Sequence, residues 1–309
     1  MEGKAVKQVR VRPGMTVGEL VTELEASGAF NGGSLAKACG VTEAMFRDEK
    51  ATTFMGLAGA MVPAGMGGIV SDLIDQGYVD VLVSTGANLV HDMVEAIGCR
   101  HYHGSAECSD NDLRRKGINR IYDVYVSDDA FTRFEEFIQG VFGGLAEGTV
   151  ISTSELLGFV GKNLPSGILA TAARRGVPVY CPAVQDSVFG LQFSLFTQTH
   201  NVVVDAFRDM KGFLDRCFTS GSAGALLIGG GVPKNFIFQG MLLAPHGFTY
   251  AVQLTGDRPD LGGLSGATLD EARSWGKLTA EAQGVTVYGD ATITLPVIAA
   301  AVLERLSRG

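Results

Sequence analysis

Ala225-Leu226-Leu227-Ile228-Gly229-Gly230-Gly231 is the stretch on which the architecture turns. Four apolar residues without alternation read as a strand buried on both faces. The glycines behind them read as a tight turn at the strand's carboxyl end. The pattern recurs along the chain. Val79-Asp80-Val81-Leu82-Val83 is a mostly apolar strand ending in Ser84-Thr85-Gly86, and Asn88 to Ile97 continue with helical spacing. Tyr122 to Val126, Val177 to Tyr180, Val202 to Val204, Tyr250 to Leu254 and Val285 to Tyr288 are further strand candidates. Pro178 makes its strand short, or starts it near the proline. Phe131, Phe134, Phe137 and Ile138 mark a helix after Tyr122 to Val126. Apolar strands alternating with helices predict an α/β fold whose parallel sheet is covered by helices on both faces. Such sheets bind ligands at the carboxyl ends of their strands.

Upstream, Val9 to Val11 suggest a short strand, and Pro13-Gly14 turns the chain. Thr16 and Glu19 have capping-box spacing, and Val17, Leu20, Val21 and Leu24 share one helical face. Gly28 and Gly32-Gly33 interrupt that helix. Residues 1–50 therefore read as a short helical appendage on a main domain of residues 51–309.

The chain has 309 residues, 46% of them apolar, enough for a sizeable core. Its formal charge of −8 argues against a nucleic-acid surface and favours cationic ligands. No apolar block follows a basic start and no apolar run reaches membrane-spanning length, so a cytoplasmic protein is expected. The five cysteines, odd in number and scattered, read as reduced thiols.

Chemistry concentrates in Glu271-Ala272-Arg273-Ser274-Trp275-Gly276-Lys277. A lysine beside a flat aromatic wall can be desolvated, lose its proton near neutral pH and attack an imine or carbonyl carbon. Glu271 could hold a cationic substrate, and Trp275 could pack on its methylenes. A helix-end lysine facing water is the plainer alternative. The turns at Ser84-Thr85-Gly86 and Gly229-Gly230-Gly231 offer backbone N–H groups to a phosphate, or are simply tight turns. Asp290, in Gly289-Asp290-Ala291, extends them toward a nucleotide-sized site. Cys99, His101, His103 and Cys108 lack the spacing of a structural zinc site, and no metal is expected. His91, in the helix after the Ser84 turn, touches a ligand or serves packing. Asp186, beyond a strand end, receives hydroxyls or an amine, or faces solvent.

Ser274-Trp275-Gly276-Lys277 and Gly229-Gly230-Gly231-Val232-Pro233-Lys234 resemble the deoxyhypusine synthase family, which includes bacterial deoxyhypusine synthase-like members and related homospermidine synthases. Gly117-Ile118-Asn119-Arg120-Ile121 and Val287-Tyr288-Gly289-Asp290-Ala291 match in the same order, and the resemblance runs from about Ala51 to Leu306. It implies a Rossmann-like domain, a homotetramer with sites at dimer interfaces, and NAD as cofactor. The implied reaction moves an aminobutyl group from a polyamine, through an imine on Lys277, to an acceptor amine on a protein or a small molecule. By the same resemblance Glu271, Trp275, Asn235 and Gln239 contact the amine substrate. Ser84, Thr85, Gly86, His91, Asp186, Gly230, Gly231, Thr255, Asp290 and Ala291 lie at the cofactor.

Departures from the family pattern are as informative. Asn235 stands where a histidine is expected, and Gln239 replaces an asparagine. Leu191 and Leu264 stand where aspartates would meet polyamine nitrogens. His91 replaces a glutamate, Gly59 and Ala60 replace a Ser-Asn pair, and Leu261 replaces an aspartate on the cofactor side. Leucine offers an ammonium no acceptor, so a donor other than spermidine, or another pose, is expected. Asp257 is a candidate for compensation. A homologue that binds a nucleotide and regulates or scaffolds, without strong catalysis, is the alternative from another functional class.

Overall fold

In the computed structural model, residues 3–308 are described, and they form two compact units. One comprises residues 3–57 and 213–308, the other residues 58–212. The chain enters the first unit through α1 (Val17–Ser27), α2 (Phe30–Arg47) and β1 (Ala51–Leu57). The second unit holds α3 (Gly67–Asp75), β2 (Val81–Ser84), α4 (Gly86–Ala96), β3 (Tyr102–His103) and α5 (Asp110–Arg115). It continues with β4 (Ile118–Ile121), β5 (Val124–Ser127), α6 (Asp128–Phe142), β6 (Val150–Ile151) and α7 (Thr153–Lys162). Then come α8 (Gly167–Arg175), β7 (Val179–Tyr180), α9 (Val188–Phe196) and β8 (Val203–Val204). Helix α10 (Arg208–Thr219) carries the chain back to β9 (Ser222–Ile228), α11 (Gly231–Leu243) and β10 (Phe248–Thr255). Helix α12 (Leu269–Ser274), β11 (Leu278–Tyr288) and α13 (Ala291–Ser307) complete the first unit.

The first unit is built on four parallel strands in the order β11-β10-β9-β1. Ala51 to Leu57 pair in register with Ser222 to Ile228, so Thr53 lies beside Gly224 on one face. A Cβ on Gly224 would strike the side chain of Met45 in α2. Phe54 and Gly56, one residue out of phase, face the other way. There Phe54 meets the ring of Phe213 in α10 at 5.8 Å, and a Cβ on Gly56 would crowd Ile237 of α11. Helices thus cover both faces, as parallel strands require. The core strand β9 is sealed from Ala223 to Ile228.

The second unit contains a parallel pair, β2 with β7, a separate parallel pair, β6 with β8, and an antiparallel sheet in the order β3-β5-β4. No helix among the described residues is long and apolar enough to cross a membrane.

Several local expectations need correction. Val9 to Val11 form no strand: the segment is exposed and has no strand partner for its backbone groups. Gly28 does end α1 in the left-handed conformation, but α2 runs straight through Gly32 and Gly33. Strand β1 is absent from the sequence reading because Thr52 and Thr53 dilute its apolar run, yet Thr53 is buried against β9. Tyr122 sits in a turn at φ 52°, and the strand after it, β5, pairs antiparallel with β4. Val203 and Val204 pair only with β6, outside the main sheet. The Thr16–Glu19 capping box is formed, with Glu19 N–H on Thr16 Oγ1 and Thr16 N–H on the Glu19 carboxylate.

Candidate active site

The first unit's site starts where β9 ends. Gly229 and Gly231 adopt φ of 75° and 57°, which a side chain would strain. Gly230 between them lies so close to Ser265 that a Cβ would collide with its backbone. Helix α11 begins here, and Gly230 provides no side-chain cap. Its first-turn N–H groups have no capping side chain, and the space beside Gly231 is open. An uncapped helix start behind a glycine turn is able to accept an anion.

One turn further along α11, Lys234 is only 4% exposed. Its ammonium donates to the Gln253 side-chain oxygen at 3.0 Å, to Leu264 O at 3.1 Å and to Ala267 O. Gln253, fully buried in β10, donates in turn to Gly229 O at 3.1 Å and Ser265 O at 2.8 Å. These bonds tie the 264–267 loop to both the glycine turn and the sheet. Burial lowers the Lys234 pKa from its usual value to about 8; Glu271 pulls it up and Lys277 pushes it further down.

Helix α12 opens with Thr268 accepting from Glu271 N–H at 3.0 Å and closes on Gly276 at φ 72°. Gly276 N–H bonds Arg273 O at 2.9 Å and Lys277 N–H bonds Ala272 O at 3.0 Å, a Schellman closure. The turn delivers Lys277 directly to the start of β11, where its carbonyl accepts from Phe248 N–H at 2.9 Å. Arg273 clamps the same strand through the carbonyls of Thr279, Ala280 and Ala282.

Between α11 and α12 lies a small cleft lined by Lys234, Asn235, Phe238, Leu264, Ala267, Thr268, Glu271, Ala272, Trp275 and Lys277. Lys277 Nζ stands 5.6 Å from the centre of the Trp275 ring. The structure therefore brings together Lys277, Trp275, Glu271 and Asn235. Gln239 is exposed on α11 and does not line the cleft. Trp275 is 62% exposed in the single chain, so it is no buried wall; burial in this cleft falls on Lys234. Lys234, Gln253 and Arg273 were not singled out from sequence for these roles. A lysine in the first turns of a mostly apolar helix behind a glycine turn was the available signal for Lys234.

The remaining candidates fall into two groups. Gly230, Gly231, Thr255, Asp290 and Ala291 sit at the carboxyl ends of the neighbouring strands β9, β10 and β11. Asp290 caps α13 through Thr292 N–H at 2.8 Å, and Thr255 Oγ1 accepts from Asp257 N–H at 3.1 Å. In the second unit, Ser84 ends β2, Thr85 caps α4 through Asn88 N–H, and Gly86 opens that helix. A Cβ on Gly86 would meet Ser187 at 2.5 Å, so the segment carrying exposed Asp186 abuts the helix start. Ser187 Oγ donates to Val184 O at 2.6 Å, closing the turn that presents Asp186.

His91 lies in the body of α4, half-buried. Its Nδ1 is 2.8 Å from His101 Nε2, and His101 Nδ1 is 2.7 Å from Glu95 Oε1. Burial drives the His91 pKa down to about 4; the neighbouring His101 lowers it further and Glu95 opposes. Both ring nitrogens of His101 are thus engaged within this chain. Among the described residues no group of three or more His, Cys, Asp and Glu side chains is placed to hold a metal ion.

Comparison with known proteins identifies the family. The deoxyhypusine synthase family model matches residues 19–302. Probable deoxyhypusine synthase 1 of Methanosarcina mazei is 56% identical over 305 residues, covering 98% of this chain and 96% of that one. Probable deoxyhypusine synthase 1 of Archaeoglobus fulgidus is 46% identical over 302 residues, covering 97% and 98%. Both organisms are archaea. A solved structure from Entamoeba histolytica that carries the deoxyhypusine synthase name shares the fold, with a TM-score of 0.65 at 16% identity and 94% of each chain covered. By its family model and by these relatives across almost its full length, the chain belongs to the deoxyhypusine synthase family.

Proposed function

We infer that this chain is an NAD-dependent transferase that moves an aminobutyl-like group from a polyamine or related amine to an acceptor amine, as its family membership indicates. The observation that carries the reading is the cleft in which Lys277, Trp275 and Glu271 converge. The amine of Lys277 attacks an electrophilic imine carbon, the amine first bonded to that carbon leaves, and the lysine holds the alkyl group as an imine until an acceptor amine displaces it in the same way. Glu271 attracts a cationic substrate, and the Trp275 face packs on its methylenes. Asn235 offers both a donor and an acceptor at the same wall.

NAD would be held by the uncapped start of α11 at Gly230 and Gly231, with Thr255, Asp290 and Ala291 at the adjacent strand ends. The family resemblance also proposes Ser84, Thr85, Gly86, His91 and Asp186 for contact with NAD. When bound, it supplies reversible hydride acceptance, so no outside oxidant is required. The main domain of this reading is residues 51–309, with residues 1–50 as its helical appendage. A homotetramer with sites at dimer interfaces is part of the same proposal. Exposed Trp275, Leu261, Leu264 and Leu243 in the first unit support it, as surfaces suited to burial. Cytoplasmic residence fits the five cysteines, all unpaired.

The cleft also speaks to the donor. Its lining offers one carboxylate, Glu271, against two amines, Lys234 and Lys277, and includes Leu264. A fully charged triamine is poorly matched to that balance. We therefore propose a donor of lower charge than spermidine, or spermidine in another pose, with homospermidine-type transfer to a small amine as the second reading. Incubation with NAD and a panel of amines, followed by borohydride and mass spectrometry, tests the function. An adduct on Lys277 is expected. No adduct with any amine, despite dinucleotide binding, overturns the transferase reading in favour of a nucleotide-binding regulatory homologue.

A further inference from the structure

We propose that Arg273 is a positioning residue for the reaction: its guanidinium gathers the carbonyls of a bulge in β11 and so fixes the α12–β11 corner that places Lys277 in the cleft. The clamp rests on hydrogen bonds within the first unit; its consequence for turnover rests on the function proposed above.

The strand register shows what the clamp holds. Phe248 pairs with Leu278 and Tyr250 with Gln283, so Thr249 alone faces Thr279 to Ala282. Such an excess on one strand is a bulge, which interrupts the ladder and leaves backbone groups to be satisfied elsewhere. Strand β11 also lies at the edge of its sheet, so among the described residues no second strand flanks it. Arg273 supplies the missing donors. One terminal nitrogen donates to Thr279 O and Ala280 O, both at 2.9 Å, and the other to Ala282 O at 2.6 Å. A guanidinium is a planar fork of fixed donors, so it holds three carbonyls in one geometry, which an ammonium point charge does not. Exposed Asp270 approaches Arg273 Nε at 3.3 Å and steadies the fork from the solvent side.

Lys277 stands just before the bulge, and its backbone is held from two sides. Its N–H bonds Ala272 O of α12 at 3.0 Å, and its carbonyl accepts from Phe248 N–H of β10 at 2.9 Å. Arg273 ties the same helix to the strand beyond, so residues 273–282 close into a loop with the Gly276 turn at its apex. Arg273 itself does not line the cleft. Its influence on the chemistry therefore passes through the main chain of Lys277. Covalent attack is sensitive to placement, and a shift of about 1 Å can cost about 100-fold in rate. The attraction of Glu271 for a cation varies slowly with distance. Loss of the clamp should thus fall on kcat more than on KM.

Arg273→Met keeps an apolar stem and removes the fork. Its kcat for amine turnover should fall about 10-fold or more, with the KM for the amine and the Kd for NAD within about 2-fold of wild type. Arg273→Lys should recover only part of that kcat. Amide hydrogen exchange of the ligand-free protein reads the clamp without any substrate. Phe248 and Lys277 N–H should exchange about 10-fold faster in Arg273→Met, while Gly229 N–H, held by Leu254 O at 2.7 Å, should be unchanged. Exchange that stays the same at Phe248 and Lys277, or that accelerates equally at Gly229, overturns the proposal. So does an unaltered kcat, or full recovery by lysine. If no amine reacts with the wild type, the transferase reading fails, and the exchange pattern still decides whether Arg273 fixes Lys277.

Discussion

The Lys234 ammonium donates to the Gln253 side-chain oxygen at 3.0 Å, and both residues are buried beneath the cleft that Lys277 and Trp275 line. An amine sunk among two carbonyls and an amide holds the floor of this cleft. Lys234→Met should leave Gln253 Oε1, Leu264 O and Ala267 O without that donor. A loss of about 2–4 kcal/mol is expected, read by chemical denaturation, since unsatisfied buried acceptors cost about 1–3 kcal/mol each and local relaxation recovers part. Unchanged stability would show that water replaces the ammonium.

Lys277→Ala should remove the borohydride-trapped adduct and cut amine turnover by at least about 100-fold, because Lys234, the other amine of the cleft, has its ammonium engaged by Gln253, Leu264 O and Ala267 O. Single-turnover kinetics with mass spectrometry checks it. Glu271→Gln should instead raise the KM for a cationic amine about 10-fold, the scale of one charge-assisted contact. Trapping at Lys277 should persist in that variant.

Gly276 is the hinge between α12 and Lys277. At φ 72°, Gly276→Ala should cost about 1–2 kcal/mol, and it should shift Lys277 relative to Trp275. Parallel measurement of melting and adduct yield separates the two effects. A fully active, equally stable variant would mean that the Schellman turn does not set the lysine's position.

Leu264→Asp restores a second carboxylate to the cleft lining. Spermidine should then bind about 10-fold more tightly, measured by calorimetry in the presence of NAD. If affinity does not change, or if the unaltered protein already uses spermidine as readily as any smaller amine, the mismatch argument from Leu264 is refuted.

Asp92 links stability to pH. It accepts from Ile168 N–H at 2.7 Å and Leu169 N–H at 2.9 Å, yet burial raises its pKa to about 6. The folded state therefore binds the proton more tightly than the unfolded chain. Asp92's favourable contribution is present in full below its ordinary value of 3.8 and declines as pH rises to about 6. Wild-type stability relative to Asp92→Asn should thus fall between pH 4 and 6. A difference that is flat or rising across that window would contradict the burial argument. His91, common to both proteins, cancels from the comparison.

Local chemistry was legible wherever neighbours in sequence determine it. The capping box at Thr16 and Glu19, the glycine turn after Ile228, the short strand after Pro178 and the α4 helix after Thr85 all stand as read. Glu271, Trp275 and Lys277 line one cleft because a six-residue helix and one glycine turn hold them there. What sequence alone could not settle is pairing across distance. Threonine-rich β1 becomes a core strand only because β9 offers its backbone a partner, and Tyr122 to Val126 leave the parallel set only because β4 folds back on β5. Lys234 becomes a buried ammonium only when Gln253 and the 264–267 loop close over it. His91 gains its hydrogen-bond partner only when His101, ten residues on, returns to it. Backbone propensity and capping act within a few residues and are written in the chain; burial and hydrogen-bond partnership depend on which distant segments meet, and that is decided by the packed tertiary structure.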